Sequence, residues 1–215
     1  MTAALVPTPS WRTRAHRFAP VTAVLSFGAL AAAVVISQLP DTTPLLQALS
    51  TNVQNLLHTP VRVVIGSAFV SDSGLLTQLV AIVATAAAMF ALERRIGSLR
   101  ALGVFASAHV GATVLTEGAV WLGLRLEWLP GADRSQIDVG ISYGMWVAVA
   151  AAAALLPRAW RWLLLPVALL GVGVPAVIEP SMTATGHLLS VLIGLAWWPY
   201  LLDQRGVWRR SLRSA

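Results

Sequence analysis

A serine and a histidine lie near the starts of two apolar segments that are far apart in the sequence. Ser142 lies about three residues into segment 139–156, and His187 lies about three residues into segment 184–202. If both segments enter a membrane from the same side, a rise of about 1.5 Å per helical residue puts the two side chains at one depth. A histidine beside a serine hydroxyl can take its proton during attack on a carbonyl, so the pair predicts a nucleophile and its general base. The structural alternative is that Ser142 packs against a small neighbour and that His187 bonds to a carbonyl.

Small residues recur around both side chains: Gly140, Gly144, Ser190 and Gly194. Such residues let two helix backbones approach closely, which favours a direct contact between the two segments. Trp146 lies one turn after Ser142, where its ring can pack against an imidazole and fix its orientation. The pattern therefore favours an interface that carries the serine and the histidine together.

The composition is that of an integral membrane protein. Of 215 residues, 57% are hydrophobic and 11% are charged, and the mean hydropathy is +0.73. Soluble domains carry about 25% charged residues. The absence of cysteine excludes disulfides, thiolate metal sites and cysteine nucleophiles. No phosphate loop, dinucleotide fingerprint or metal-ligand cluster is present in the sequence, so we expect no cofactor and no metal.

Six apolar runs are long enough to cross a bilayer, since about 20 helical residues span its hydrocarbon core. They are residues 20–38, 75–92, 101–123, 139–156, 161–178 and 184–202. The net charge of +6 comes from arginines in short clusters between these runs, a pattern that indicates membrane topology and no nucleic-acid partner. With six spans, every cluster falls on one side: Arg12, Arg14, Arg17, Arg94, Arg95, Arg100, Arg158, Arg161, Arg205, Arg209, Arg210 and Arg213.

The positive-inside rule then places both termini in the cytoplasm and the protein in the cell membrane. The prediction is an all-α, polytopic membrane protein with a cytoplasmic tail over residues 1–19, a six-span membrane domain over 20–202 and a basic cytoplasmic tail over 203–215. The lipid bilayer is its first partner. The oligomeric state stays open.

Two further patterns lie outside the pair. Leucines and valines recur at helical spacing over residues 45–57, with polar residues on the other faces, which predicts one amphipathic helix at the outer membrane surface. His109, Thr113 and Glu117 share one face of the third span. That stripe is consistent with a proton relay, with a cation site, or with hydrogen bonds between helices.

Four stretches of the sequence resemble the rhomboid intramembrane serine proteases over roughly residues 60–202. They are "GISYG" at 140–144, "GHLLSVLIGL" at 186–195, "VRVVIGSAFVSDSGLL" at 61–76 and "LERRIGSLR" at 92–100. The family carries Gly-x-Ser-Gly and a later histidine followed by small residues. The resemblance implies a six-helix rhomboid-like bundle in which Ser142 is the nucleophile, His187 is the base and Trp146 is the aromatic residue beside the histidine. It implies a dyad without a carboxylate and, as substrate, a single-span membrane protein cut near the outer face.

The sequence departs from the family's pattern at the positions that would hold the oxyanion. Tyr143 replaces the glycine after the serine, and the family's His-x-x-x-Asn pair falls on Thr77 and Ala81. Gln78 beside Thr77, and backbone N–H groups near Ser142, are the remaining candidate donors; one such donor contributes about 10²–10³ in rate.

Two functions follow from this combination. The first is a rhomboid-like serine protease with a Ser-His dyad, and the alternative is a weak or inactive relative that binds transmembrane helices. A transporter built around the His109 stripe is disfavoured, because the sequence shows neither paired broken helices nor an internal repeat.

Overall fold

The computed structural model describes residues 18–129, 132–179 and 181–204, and most of both predicted tails lies outside them. The described chain is helical. Its helices are α1 (Pro20–Ser37), α2 (Thr43–Leu49), α3 (Val53–His58), α4 (Pro60–Ser67), α5 (Leu75–Ile96), α6 (Ser98–Arg125), α7 (Ser142–Ala153), α8 (Arg158–Ile178) and α9 (Met182–Ala196).

Five described helices are long and apolar enough to cross a membrane. They are α1, α5, α6, α8 and α9, the last continuing as Met182–Gln204. Their bounds follow the predicted spans closely. The remaining run, residues 139–156, gives only the 12-residue helix α7.

The structure corrects the predicted depth of both side chains in their helices. The sequence predicts each about three residues into its segment, but Ser142 is the first residue of α7 and His187 is the sixth residue of α9. The chain before Ser142 is non-helical because Gly140 adopts φ +143°, a conformation that residues with a Cβ rarely take. The Gly140 N–H donates to the carbonyl of Ser67 at 3.0 Å. Such irregular backbone is stable inside a membrane protein only where protein covers it and pairs its polar groups.

Helix α7 lies inside the bundle, where it packs against α5, α6 and α9. Its contact with α9 depends on glycine: a Cβ at Gly194 would lie 2.6 Å from the Ala150 Cβ and 2.7 Å from the Val147 carbonyl oxygen. Gly144 faces elsewhere, since a Cβ there would overlap the ring of Phe105 on α6. The small residues therefore bring α7 close to two neighbours at once.

The N-terminus of α1 is capped by a side chain from α5. Helix α1 has no side-chain cap of its own. The Glu93 carboxylate, which is 0% exposed, accepts the N–H of Val21 at 3.0 Å, and the N–H and hydroxyl of Thr22 at 2.8 and 2.7 Å. A carboxylate there pairs N–H groups that the helix cannot pair itself and complements the positive end of its dipole.

The prediction of a single amphipathic helix over residues 45–57 is wrong. The region forms α2 and α3, separated because Ser50 is extended and Asn52 caps α3 by accepting the Asn55 N–H at 2.9 Å. The polar residues predicted on the other faces of that helix make hydrogen bonds within the protein. Gln47 donates to the Ser135 carbonyl at 2.8 Å, and Asn55 donates to the Gln47 carbonyl at 2.7 Å. Helices α2 to α4, together called the outer connection, are thus tied to the segment before α7.

The described arginines gather at the two ends of the bundle. Glu93 joins the end of α5 to the start of α1, while the Trp197 indole N–H donates to the Ser107 hydroxyl of α6 at 3.2 Å. The Trp198 indole N–H donates to the Ala150 carbonyl at 2.8 Å. One end of the bundle therefore holds the start of α1, the ends of α5, α7 and α9, and the starts of α6 and α8. The described arginines at that end are Arg94, Arg95, Arg100, Arg158 and Arg161.

Candidate functional site

Ser142 lies half-buried at the N-terminus of α7, beside a small polar cavity. The cavity has a volume of about 10 Å³, and its lining includes Ser142, Gly140, Asp138, His109 and Ser67. By this measure a cavity of about 10–15 Å³ holds one water molecule. The start of α7 thus meets the outer connection and α6 at a polar point inside the bundle.

His187 packs against the first turn of the same helix. Its ring centroid lies 5.7 Å from that of Tyr143, at an interplanar angle of 83°, and 6.1 Å from that of Trp146, at 52°. Those aromatic residues stand one and four positions after Ser142. The His187 Nε2 atom is buried and has no hydrogen-bond partner within the described part of the chain, Ser142 included.

The predicted oxyanion residues lie on α5. Gln78 is buried and Thr77 is exposed, in the first turn of that helix. Neither is among the described residues that line the Ser142 cavity. Ala81, one turn from Thr77, packs against the apolar core and offers no donor.

His109 binds the outer connection. Its Nε2 lies 2.8 Å from the Val64 carbonyl oxygen and 3.3 Å from the Ser67 hydroxyl. A carbonyl only accepts, so Nε2 carries the proton and donates to Val64. In that tautomer Nε2 cannot take a proton from Ser67, and these two residues are therefore no second dyad.

Thr113 and Glu117, the other two residues of the stripe on α6, also lie beside backbone groups. The Thr113 hydroxyl donates to the His109 carbonyl of its own helix at 2.7 Å. Glu117 faces the backbone N–H of Val53 at the start of α3, and its Oε1 is buried without a hydrogen-bond partner among the described residues. These contacts favour hydrogen bonds between elements over a relay. The described residues include no group of three or more histidine or acidic side chains placed to hold a metal ion.

Sequence reasoning missed Asp138. Its backbone N–H donates to the Ser50 hydroxyl at 2.8 Å, and its side chain accepts the Thr51 hydroxyl at 3.1 Å and the Tyr143 hydroxyl at 3.5 Å. Burial raises the pKa of the Asp138 carboxyl, and the hydrogen bonds from Thr51 and Tyr143 oppose that rise. An acidic residue four positions before Ser142, at the edge of an apolar run, was the available signal.

Comparison with known proteins gives one family. A family model described as "Rhomboid-like protein" matches residues 15–207. Comparison with curated proteins gives no match.

Proposed function

Because the chain belongs to the rhomboid-like family, we propose that it is an intramembrane serine protease with Ser142 as nucleophile and His187 as general base. The observation that carries the proposal is the packing of the His187 ring against Tyr143 and Trp146, with a buried Nε2 that has no hydrogen-bond partner among the described residues. The imidazole thereby lies against the turn that begins with Ser142. Catalytic hydrogen bonds in unliganded enzymes are often long and tighten when substrate binds.

The proposed chemistry is acyl transfer. The Ser142 Oγ attacks the scissile carbonyl carbon while its proton passes to His187, and His187 then protonates the leaving amine. Water hydrolyses the acyl-enzyme in the second step, and the cavity beside Ser142 has room for one such molecule.

We assign the oxyanion to the first N–H groups of α7. The first N–H groups of any helix lack a partner in that helix and lie at the positive end of its dipole. Gly140, at φ +143°, turns the chain just before them, so that these N–H groups lie beside the Ser142 side chain. Gln78, with Thr77 beside it, is the proposed supporting donor from α5.

The proposed topology has six crossings, the fourth made by α7 with the non-helical residues 139–141 before it. The arginine-rich end of the bundle faces the cytoplasm, as the positive-inside rule requires. Both tails, residues 1–19 and 203–215, are then cytoplasmic, and the membrane domain is 20–202. Ser142 lies towards the outer face of the cell membrane, so the substrate is a single-span membrane protein cut near that face.

One observation favours a second function. The positions that hold the oxyanion side chains in the family are here an exposed Thr77 and an apolar Ala81. A bundle of this kind with a weak or absent oxyanion site would still bind transmembrane helices without cutting them.

Cleavage of a single-span reporter by the purified protein in liposomes separates the two functions. Ser142→Ala, His187→Ala and the double variant should lose similar amounts of activity, because members of one catalytic unit are not additive. Ser73→Ala, which changes an exposed serine before α5, should cut as the wild type does. A fluorophosphonate should label the wild type and not Ser142→Ala.

Equal cleavage by the wild type and Ser142→Ala would reject the protease. Reporter binding without cleavage or labelling, by the wild type and both single variants, would favour the helix-binding function.

A further inference from the structure

Tyr143 occupies a slot between α7 and α9. The side chain is 4% exposed, and it stands directly after Ser142. Gly186, the residue before His187, leaves room for it: a Cβ at Gly186 would overlap the Tyr143 ring. The ring then meets His187 nearly perpendicularly, at 83°, a geometry in which the positive edge of one ring faces the negative face of another.

The other end of Tyr143 is fixed as well. Its hydroxyl donates to Asp138 at 3.5 Å and lies within reach of Thr116 on α6. Asp138 itself is held by Thr51, whose N–H and hydroxyl both donate to its carbonyl, at 2.8 and 3.0 Å. A continuous set of contacts therefore runs from the outer connection through Asp138 and Tyr143 to the imidazole.

We propose that Tyr143 is a positioning residue for His187, with Asp138 fixing the phenol and the phenol ring fixing the plane of the imidazole. The inference rests on the proposed function. A general base needs a third group to orient it, and in serine triads a carboxylate bonded to the imidazole does so. Here the carboxylate of Asp138 does not bond to the imidazole directly. It accepts the Tyr143 hydroxyl, and the Tyr143 ring contacts His187. Trp146 supplies a second contact to the imidazole.

The experiment compares Tyr143→Leu, Tyr143→Phe and Gly186→Ala in reporter cleavage. Loss of the ring should lower kcat by about 100-fold, as small misplacements of a catalytic group do, with KM changed less than about twofold. Tyr143→Phe keeps the ring contact but loses the hydrogen bond to Asp138, and it should recover part of that loss. Gly186→Ala, whose methyl group displaces the ring, should resemble Tyr143→Leu.

Two matched controls come from the same chain. Tyr200→Phe removes the hydroxyl of the other tyrosine, whose ring packs on Trp197 at the opposite end of α9. Gly111→Ala adds a methyl group on α6 whose one neighbour within 4 Å, among the residues that the structure describes, is the Ile193 Cδ1 at 3.6 Å. Both should keep the wild-type kcat.

A second readout does not depend on activity. In protein with isotope-labelled histidine, the His187 ring resonances are those lost in His187→Gln. They should shift and broaden in Tyr143→Leu, because the ring current and the fixed orientation are both lost, and change little in Tyr200→Phe. Tyr143→Met, of similar length and without a ring, replaces the leucine variant if the latter does not fold.

A kcat within threefold of wild type in a folded ring-less variant, or an unchanged His187 resonance, overturns the positioning role. If Ser142→Ala cuts as well as the wild type, the proposed protease is wrong, and the resonance alone decides whether Tyr143 orients His187.

Discussion

Asp138 is a buried acid held by hydroxyl groups at the start of the site. Its side chain is 9% exposed, and the hydroxyls of Thr51 and Tyr143 both donate to it. Burial disfavours the charged form, so the pKa of Asp138 is raised, and the negative charge of Asp72 adds to the effect. The native state therefore holds this proton to higher pH than the unfolded chain does.

Stability should accordingly fall with pH through this group. A raised native pKa contributes stability that is present below the ordinary value of 3.8 and is lost as pH rises through the raised value. Asp138→Asn cannot ionise, and its amide still offers one acceptor and one donor to the two hydroxyls. We expect thermal unfolding in detergent to show a midpoint that declines from acid to neutral pH in the wild type. The decline should be smaller in Asp138→Asn.

Asp133→Asn is the control, because Asp133 is exposed and the Ser135 hydroxyl holds its pKa low. Its contribution runs in the opposite sense, being lost as pH falls. A steeper decline in Asp138→Asn than in the wild type would contradict the assignment of the shift to Asp138.

At the scale of elements, the close approach of the α7 and α9 backbones depends on Gly194. Gly194→Ala should destabilise the protein by about 1–3 kcal/mol, the usual cost of overfilling a packed interface, because α7 backbone atoms lie within reach of the added methyl group. Unfolding in detergent measures it. Gly111→Ala, on α6, places its methyl group at ordinary contact distance from Ile193 of α9 and should be neutral or stabilising by up to about 1 kcal/mol. Equal effects of the two substitutions would mean that close approach at Gly194 is unimportant.

The long helices were predictable because their signal is local. A run of about 20 apolar residues between arginines specifies a span without reference to the rest of the chain. The outer connection was not predictable in the same way. Its leucines fit a single helix, yet Asn52 and Gln47 find partners at Ser135, more than 80 residues away in sequence. Long-range hydrogen bonds of this kind override local periodicity and leave no pattern in the sequence.

The candidate site likewise has residues that local sequence predicts and contacts that it does not. Ser142, His187 and Trp146 were identified from their types and spacing. The contacts of Tyr143 with Gly186 and Asp138 depend on how α7 enters the bundle, which Gly140 sets by delaying the start of the helix by three residues, from 139 to Ser142. Gln78 and Thr77, predicted from the family's pattern, are not among the described residues that line the Ser142 cavity.

The whole molecule has two chemically different ends, and labelling can assign them to the two sides of the membrane. The protein contains no cysteine, so single-cysteine variants need no background correction. Arg100→Cys and Arg158→Cys should react with an impermeant maleimide only after the membrane is opened. Ser135→Cys, at the other end, should react in intact cells. Labelling of Arg158→Cys in intact cells would refute the six-crossing topology.

The Glu93 cap has a consequence for the order in which the bundle is made. Chains are synthesised from the N-terminus, so α1 leaves the ribosome before α5. The carboxylate that pairs its first N–H groups follows 71 residues later, at the end of α5. Until that moment α1 can enter the bilayer but has no partner for its buried start. Helix α1 therefore docks only after α5 is complete, and the time of that docking is set by α5.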